Sequence, residues 1–369
     1  MATPRPNGTK KTTKKARTSP PKPVRRTGIA RIEWSPYKID GLDVRLFQAT
    51  YYDHDGDEVI PEGIPAIDTG YVFREDMVRE LAWAVWPHDN DDPAAAPNWT
   101  PCLLAGPKGS GKTSLVLQVA ARCNIRVFRT NLNVGTTTRH LKGRLGAQDG
   151  RTVFVPGVAT MAMERGGWLL LDELSGVTPP VALSLFPIME AQGSVLLEDA
   201  QPPRYVKRSP YFRVICTDNC IGAMQEESRF SYSGTNPDMN EALLDRIGSV
   251  IEVPYLTEDR EHQAIASMIP TVDSDNLEGM IRVANAVRQS HEVAGGFSTR
   301  MVMEWARRAT AGIQKANGKV VHPVEDDNFL MECAQAAFLR RQNSLVERDA
   351  IAEVIRRVFA IDADDEVGF

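Results

Sequence analysis

Residues 106–113, Gly-Pro-Lys-Gly-Ser-Gly-Lys-Thr, form a G-x-x-x-x-G-K-[ST] loop, and this octet constrains the chain more than any other feature. The apolar run Pro101-Cys102-Leu103-Leu104-Ala105 enters it and is short enough for a buried strand. Lys112 to Cys123 leaves it, with Leu115, Val116, Val119, Ala120 and Cys123 on one face at helical spacing. That strand–loop–helix setting separates a phosphate loop from a glycine-rich turn. Its glycines let successive backbone N–H groups turn toward an anion at the positive end of a helix. The expected nucleotide contacts are Gly106, Pro107, Lys108, Gly109, Ser110, Gly111, Lys112, Thr113 and Ser114. Lys112 is expected to reach the β- and γ-phosphates of ATP, and the Thr113 hydroxyl to ligate Mg²⁺.

A chain of 369 residues is expected to hold two or more packed units. No apolar run approaches the roughly 20 residues that span a bilayer, and the first residues lack the apolar core of a secretory signal. A cytoplasmic protein with no membrane association is the expectation. Five cysteines, at 102, 123, 216, 220 and 333, lie mostly in apolar surroundings and read as buried thiols. Cys216 and Cys220 have no second pair or nearby histidine to complete a zinc site. Charge is unevenly spread. Nine of the 43 Lys/Arg fall in residues 1–30 with no acid among them, leaving 34 bases against 48 acids in the remainder. This segment reads as a disordered basic tail. It is either a polyanion-binding arm, with nucleic acid as one partner, or a solubilising leader that folds back on the acidic body.

Residues 31–75 show short β-like runs such as 42–47 and read as an N-terminal β-rich segment or linker. Within it, Asp53-His54-Asp55-Gly56-Asp57-Glu58 lacks the glycine and the bidentate glutamate of a calcium loop and reads as a hairpin turn. Residues 76–86 are amphipathic and helical. Apolar strands are expected at 101–105, 125–129, 167–171, 212–216 and 250–253, separated by helical patterns, which implies a parallel sheet covered on both faces. From 258 onward the pattern is helical only, at 258–268, 276–289, 299–313, 325–340 and 345–359. The fold class is therefore α/β: a nucleotide-binding domain over 76–257, followed by an α-helical lid over 258–369. The terminal acidic run 362–366 reads as a solvated tail or as a dock for a neighbour's basic arm.

Asp172-Glu173 closes the third strand, where an acid can hold Mg²⁺ and its neighbour can activate the attacking water; a solvated helix start is the plainer account. Asn219 ends the next strand, where a neutral amide can bond the γ-phosphate or the same water. Phosphoryl transfer needs positioning and charge neutralisation more than covalent chemistry.

The phosphate loop, Asp172-Glu173, Thr217-Asp218-Asn219 and Leu244-Asp245-Arg246, in that order, resemble an AAA+ ATPase, and more closely the MoxR group and the small ATPase subunit of aerobic cobaltochelatase (CobS-like). The resemblance covers about 60–310. It includes Ile64-Pro65-Ala66-Ile67-Asp68, 233–236, 239–246 and Ser298-Thr299-Arg300 of a lid helix. It implies an AAA+ phosphate-loop sheet followed by a helical lid. It also implies a ring, a homohexamer, with Arg246 as a finger reaching the neighbouring subunit's γ-phosphate and Arg300 as a sensor arginine of the lid. Surface pairing of Arg246 with Asp245 or Glu241, and helix capping by Arg300, are the alternatives. The resemblance further places hairpin insertions at 141–157 and 193–211, and implies a partner carrying a von Willebrand A-type domain. Where the family often has glycine or alanine, this chain has Asp218. The leading expectation is an ATP-driven ring that remodels another protein. A DNA-associated motor using the basic tail and the hairpins, and the motor of a metal chelatase, are the rivals.

Overall fold

The computed structural model describes residues 22–23, 28–86, 99–219, 242–290, 293, 296–311, 313–314, 320–321, 329–342 and 344–360. Most of the basic tail, Cys220, residues 233–241 and the acidic run 362–366 lie outside that range.

The centre is a five-stranded, all-parallel sheet of β1 (Cys102–Ala105), β2 (Val127–Asn131), β3 (Gly167–Asp172), β4 (Phe212–Asp218) and β5 (Ser249–Glu252), in the order β5-β1-β4-β3-β2. Every residue of β1, β3 and β4 is buried, so these strands read as continuous apolar runs, as expected where helices cover both faces. On one face Leu103, Leu169, Leu171 and Val214 pack with α3 (Val158–Arg165) and α4 (Pro179–Met189). On the other, Cys102, Leu104, Leu170 and Ile215 pack with α1 (Glu75–Val85) and α2 (Lys112–Arg122). Strand β4 carries a buried guanidinium inside this core. Arg213 donates to the carbonyls of Val85, Pro210 and Phe212, and burial pushes its guanidinium down to about 10.

Before the sheet stands an antiparallel meander of Ile29–Tyr37, Leu46–Asp53 and Glu58–Ile60. Leu46 and Phe47 enter the α1/α2 core, and Ala49 pairs with the end of α2 through Cys123 O (2.9 Å) and Asn124 Nδ2 (2.7 Å). The strand expected from Leu42 begins only at Leu46, because Leu42 closes a turn onto Ile39 O. The acidic segment at 53–58 is a hairpin turn: the Asp53 carboxylate accepts from the N–H groups of Asp55 (3.0 Å) and Asp57 (2.8 Å). Strand β2 starts two residues later than expected, since Ile125 N–H still bonds Ala120 O at the close of α2.

Two hairpins interrupt the α/β unit. Gly143–Gln148 pairs with Arg151–Pro156 between the short helix Thr138–Lys142 and α3, and Leu196–Leu197 pairs with Arg204–Tyr205 ahead of β4. The C-terminal unit contains α5 (Glu258–Met268), α6 (Ser274–Gln289), α7 (Thr299–Ala311), α8 (Phe329–Ala337) and α9 (Leu345–Phe359) around Trp305, Phe297 and Phe338. It is not helical only: Ile313–Gln314 pairs with Val320–Val321. Nor does one helix reach 340. Phe338 leaves helical φ and stacks on Phe297 and Trp305, and a separate 3₁₀ turn follows at Leu339–Arg341. Among the described residues, no helix is long and apolar enough to cross a membrane.

Candidate nucleotide site

The phosphate loop leaves the carboxyl end of β1 beside β4, where the chain order across the sheet reverses and α/β sheets open a crevice. Gly106 has φ +156°, and a Cβ there would lie 2.2 Å from Val253 O, so the loop passes β5 too closely for any side chain. Gly109 has φ +75°, and its Cβ would meet Ser298 Cβ at 2.6 Å. The loop is thus shaped by the sheet on one side and by the lid on the other.

Lys112 opens α2 and is only 7% exposed. Its ammonium donates to Gly106 O (2.8 Å), Pro107 O (2.9 Å) and Asn219 Oδ1 (3.0 Å). Ser110 Oγ is buried without a hydrogen-bond partner among the described residues. Thr113 Oγ1 donates to Asp172 Oδ1 at 2.8 Å, and Thr217 Oγ1 reaches the same oxygen at 2.8 Å. The other carboxylate oxygen accepts from Arg129 Nε, on β2. Asp172 is 4% exposed, unlike an acid at a solvated helix start. Glu173 follows at φ +61°, in the left-handed region, and Leu174–Gly176 then makes a 3₁₀ turn.

Two segments further along the chain meet this loop. Ser298 faces Gly109, and the Tyr255 hydroxyl donates to Lys108 O at 3.1 Å. Arg288 stacks on the Tyr255 ring at 4.1 Å, donates to Phe297 O at 2.7 Å and pairs with the fully buried Glu261 at 2.7 Å. Arg300, in the first turn of α7, is exposed and makes no hydrogen bond or ion pair among the described residues, so it does not cap helix packing there.

Arg246 lies elsewhere. Two residues beyond it, Gly248 N–H bonds Pro101 O ahead of β1, which puts Arg246 at the amino edge of the sheet. Its ion-pair partner among the described residues is Glu190, not Asp245, while Glu241 lies outside the described residues. Nε donates to Glu190 Oε1 (3.1 Å), Nη1 donates to Ala242 O (2.7 Å), and the guanidinium stacks on Phe186 at 3.9 Å. The structure therefore gathers Gly106 to Ser114, Asp172, Glu173 and Asn219 at the carboxyl edge, places Arg300 in the lid helix whose entry touches the loop, and leaves Arg246 outside.

Sequence reading passed over Arg129 and Tyr255. The first shows as a cation on β2 two residues before Asn131, the register partner of Asp172; the second carries no local signal. The donor set suits ATP and Mg²⁺. A buried ammonium held by backbone carbonyls, an orphaned hydroxyl and glycines at positive φ form an anion cradle, and the Thr113–Asp172 pair offers the hard oxygens Mg²⁺ takes.

Residues 101–247 match the family model of the AAA domain, dynein-related subfamily. The aerobic cobaltochelatase subunit CobS of a Sinorhizobium species is 27% identical over 338 residues, 88% of this chain and 90% of its own. NorQ of Paracoccus denitrificans is 24% identical over 244 residues, 63% of this chain and 83% of its own. The gas vesicle ATPase GvpN1 of Halobacterium salinarum is 26% identical over 265 residues, 67% of this chain and 72% of its own. With the loop, the paired acids and the parallel sheet in place, these likenesses agree: residues 101–247 form an AAA domain, and the chain around it is similar to the cobaltochelatase subunit CobS and its MoxR-like relatives.

Proposed function

We propose that this ATPase works as a ring, hydrolysing ATP where two subunits meet and using the cycle to remodel a partner protein. The observation that carries the reading is the place of Arg246. It sits at the amino edge of a sheet whose phosphate loop leaves the carboxyl edge, so the four residues of β1, about 13 Å at about 3.3 Å each, separate it from its own site. An arginine finger so placed serves a neighbouring chain. Its stacking on Phe186 and its ion pair with Glu190 hold it extended on α4, ready to exchange Glu190 for a neighbour's phosphate.

Within one subunit, Lys112 turns its ammonium from the loop carbonyls to the phosphates, and the loop N–H groups and Ser110 complete the cradle. Thr113 and Asp172 are the residues that would hold Mg²⁺, which supplies neutralisation of the β- and γ-phosphate charge when bound. Glu173 accepts the proton of the attacking water, and Asn219, already on Lys112, orients the γ-phosphate side. Arg300 is free to swing onto phosphate as the lid closes over Gly109.

A partner protein as client is supported by the CobS relative, which is by name a subunit of a larger enzyme and aligns along nearly the whole of both chains. A partner with a von Willebrand A-type domain fits this reading, and the same alignment favours, as a second reading, a metal-chelatase motor. DNA binding through the basic tail is the alternative that the experiment must separate. ATP turnover is measured against protein concentration for wild type and Arg246→Ala, with and without DNA, with mass from light scattering. The rate per subunit is expected to climb with assembly and to fall by about 10³-fold or more in Arg246→Ala. Mixing Arg246→Ala with Lys112→Ala is expected to restore part of it. A concentration-independent rate indifferent to Arg246 refutes the ring. DNA-stimulated turnover that vanishes without residues 1–30 shifts the client from protein to nucleic acid.

A further inference from the structure

The end of β4 sends three consecutive side chains to three parts of the site. Thr217 bonds Asp172, Asn219 bonds Lys112, and Asp218 between them turns to the chain that follows Glu173. Asp218 is 5% exposed. Its Oδ2 accepts from the Ser175 backbone N–H at 2.5 Å, and its Oδ1 from the Ser175 hydroxyl at 3.1 Å.

This grip matters because of the backbone it restrains. Glu173 sits at φ +61°, ψ +57°, a conformation that costs a side-chain-bearing residue about 1–2 kcal/mol. Such a residue stays there only when its surroundings over-determine it. On the amino side Asp172 is fixed by Thr113, Thr217 and Arg129, and its carbonyl accepts from Leu132 N–H at 2.8 Å. On the carboxyl side Gly176 N–H closes the turn onto Glu173 O at 2.9 Å, and Asp218 holds Ser175 by backbone and side chain together. With glycine or alanine at 218 that second anchor has no acceptor.

We propose that Asp218 is a positioning residue for hydrolysis: by holding the N–H and the hydroxyl of Ser175 it fixes the left-handed turn that presents Glu173 to the attacking water. This rests on the assignment of Glu173 given above. Asp218 does not touch phosphate or water itself, so its removal acts on the chemical step and leaves nucleotide binding to the loop.

The test is steady-state ATPase kinetics on the full chain, with the affinity of a fluorescent ADP analogue measured alongside, for Asp218→Ala, Asp218→Asn, Ser175→Ala and Glu173→Gln. Asp218→Ala is expected to lower kcat by about 10- to 100-fold, the scale of a misplaced catalytic group, with KM and analogue affinity unchanged. Asp218→Asn is expected to recover most of kcat, since its amide can both accept from the N–H and donate to the hydroxyl. Ser175→Ala, which keeps the backbone bond, is expected to fall in between. Wild-type kcat in Asp218→Ala, or a loss of nucleotide affinity in step with kcat, overturns the proposal. If Asp218→Ala does not fold, an unchanged kcat in Ser175→Ala overturns it. Turnover that survives Glu173→Gln removes the assignment of Glu173 instead, and is read independently of Asp218.

Discussion

Replacing Gly109 by alanine tests whether the lid is sterically registered on the phosphate loop. Two costs arise and they are separable. The added Cβ must adopt φ +75°, worth about 1–2 kcal/mol against a side-chain-bearing residue. It also meets Ser298 Cβ at 2.6 Å and Oγ at 3.1 Å, while Ser298 Cα stands off at 3.8 Å. Overpacking of this kind costs about 1–3 kcal/mol, equivalent to about a 5- to 150-fold change in an equilibrium constant. Because the clash is with a side chain, Ser298→Gly removes it and leaves the φ cost in place. Nucleotide affinity, read by a fluorescent analogue, is therefore expected to drop in Gly109→Ala and to recover the clash component, about tenfold, in Gly109→Ala/Ser298→Gly. Ser298→Gly alone should bind nearly as wild type. The control is Gly106→Ala, whose Cβ meets Val253 O at 2.2 Å. That obstruction is backbone, so no single side-chain change should rescue it. If Gly109→Ala binds as wild type, or if the second substitution restores nothing, the lid does not rest on the loop.

Arg129→Met removes the cation from Asp172 Oδ2. The pair is half exposed on the arginine side, so the expected gain in Mg²⁺ affinity is modest, about fivefold or about 1 kcal/mol, in Mg²⁺ titrations of nucleotide binding; weaker Mg²⁺ binding contradicts competition. Arg288→Ala leaves the Glu261 carboxylate, 0% exposed, without its partner and is expected to destabilise the lid by about 3–5 kcal/mol, seen in thermal melts, with Glu261→Gln/Arg288→Met recovering much of it. Burial raises the thiols of Cys102 to about 12 and Cys333 to about 11, and also raises Cys123 and Cys216. The fold favours the neutral thiols, so their contribution is complete below pH 9 and is lost as pH rises through about 11 to 12; the melting temperature should fall with alkali, and all four should resist iodoacetamide at pH 8 until denaturant is added.

How much was legible beforehand follows from the range of the interactions involved. The loop and the strands β1, β3 and β4 show in the sequence because burial on both faces forces unbroken apolar runs, and because strand–loop–helix order is local. The ends of those runs moved where a backbone bond decided them, as when Ile125 closed α2 onto Ala120 O. Asp172 and Asn219 were readable from their place after apolar strands. Arg129 was not: it points to the site only once β2 is set beside β3, a neighbour relation that periodicity does not encode. Tyr255 and Ser298 reach the loop from segments 147 and 189 residues further along, and no local pattern foretells such a contact. Arg246 could be picked out only by resemblance, and the resemblance left its partner open; Glu190 emerged from the packing of α4.

The departure at residue 218 ties these levels together. By composition, an acid in the apolar run Phe212–Asp218 looks like a defect, because a buried carboxylate without partners is costly. In the fold it is paired at both oxygens, on a turn that already carries strain at Glu173. A chain with alanine there would avoid burying a charge and would need another way to hold the turn. Beside their backbone ladder, β4 and the acid-bearing segment are thus joined by two side-chain links, Thr217 to Asp172 and Asp218 to Ser175, while Asn219 joins β4 to Lys112. Any displacement of β4 would therefore reach Asp172, the turn at Glu173 and Lys112 together. Coupling of that kind predicts that Thr217→Val and Asp218→Ala are non-additive in kcat, by about 0.5–3 kcal/mol in a double-mutant cycle. Strict additivity would mean that the two acids are positioned independently.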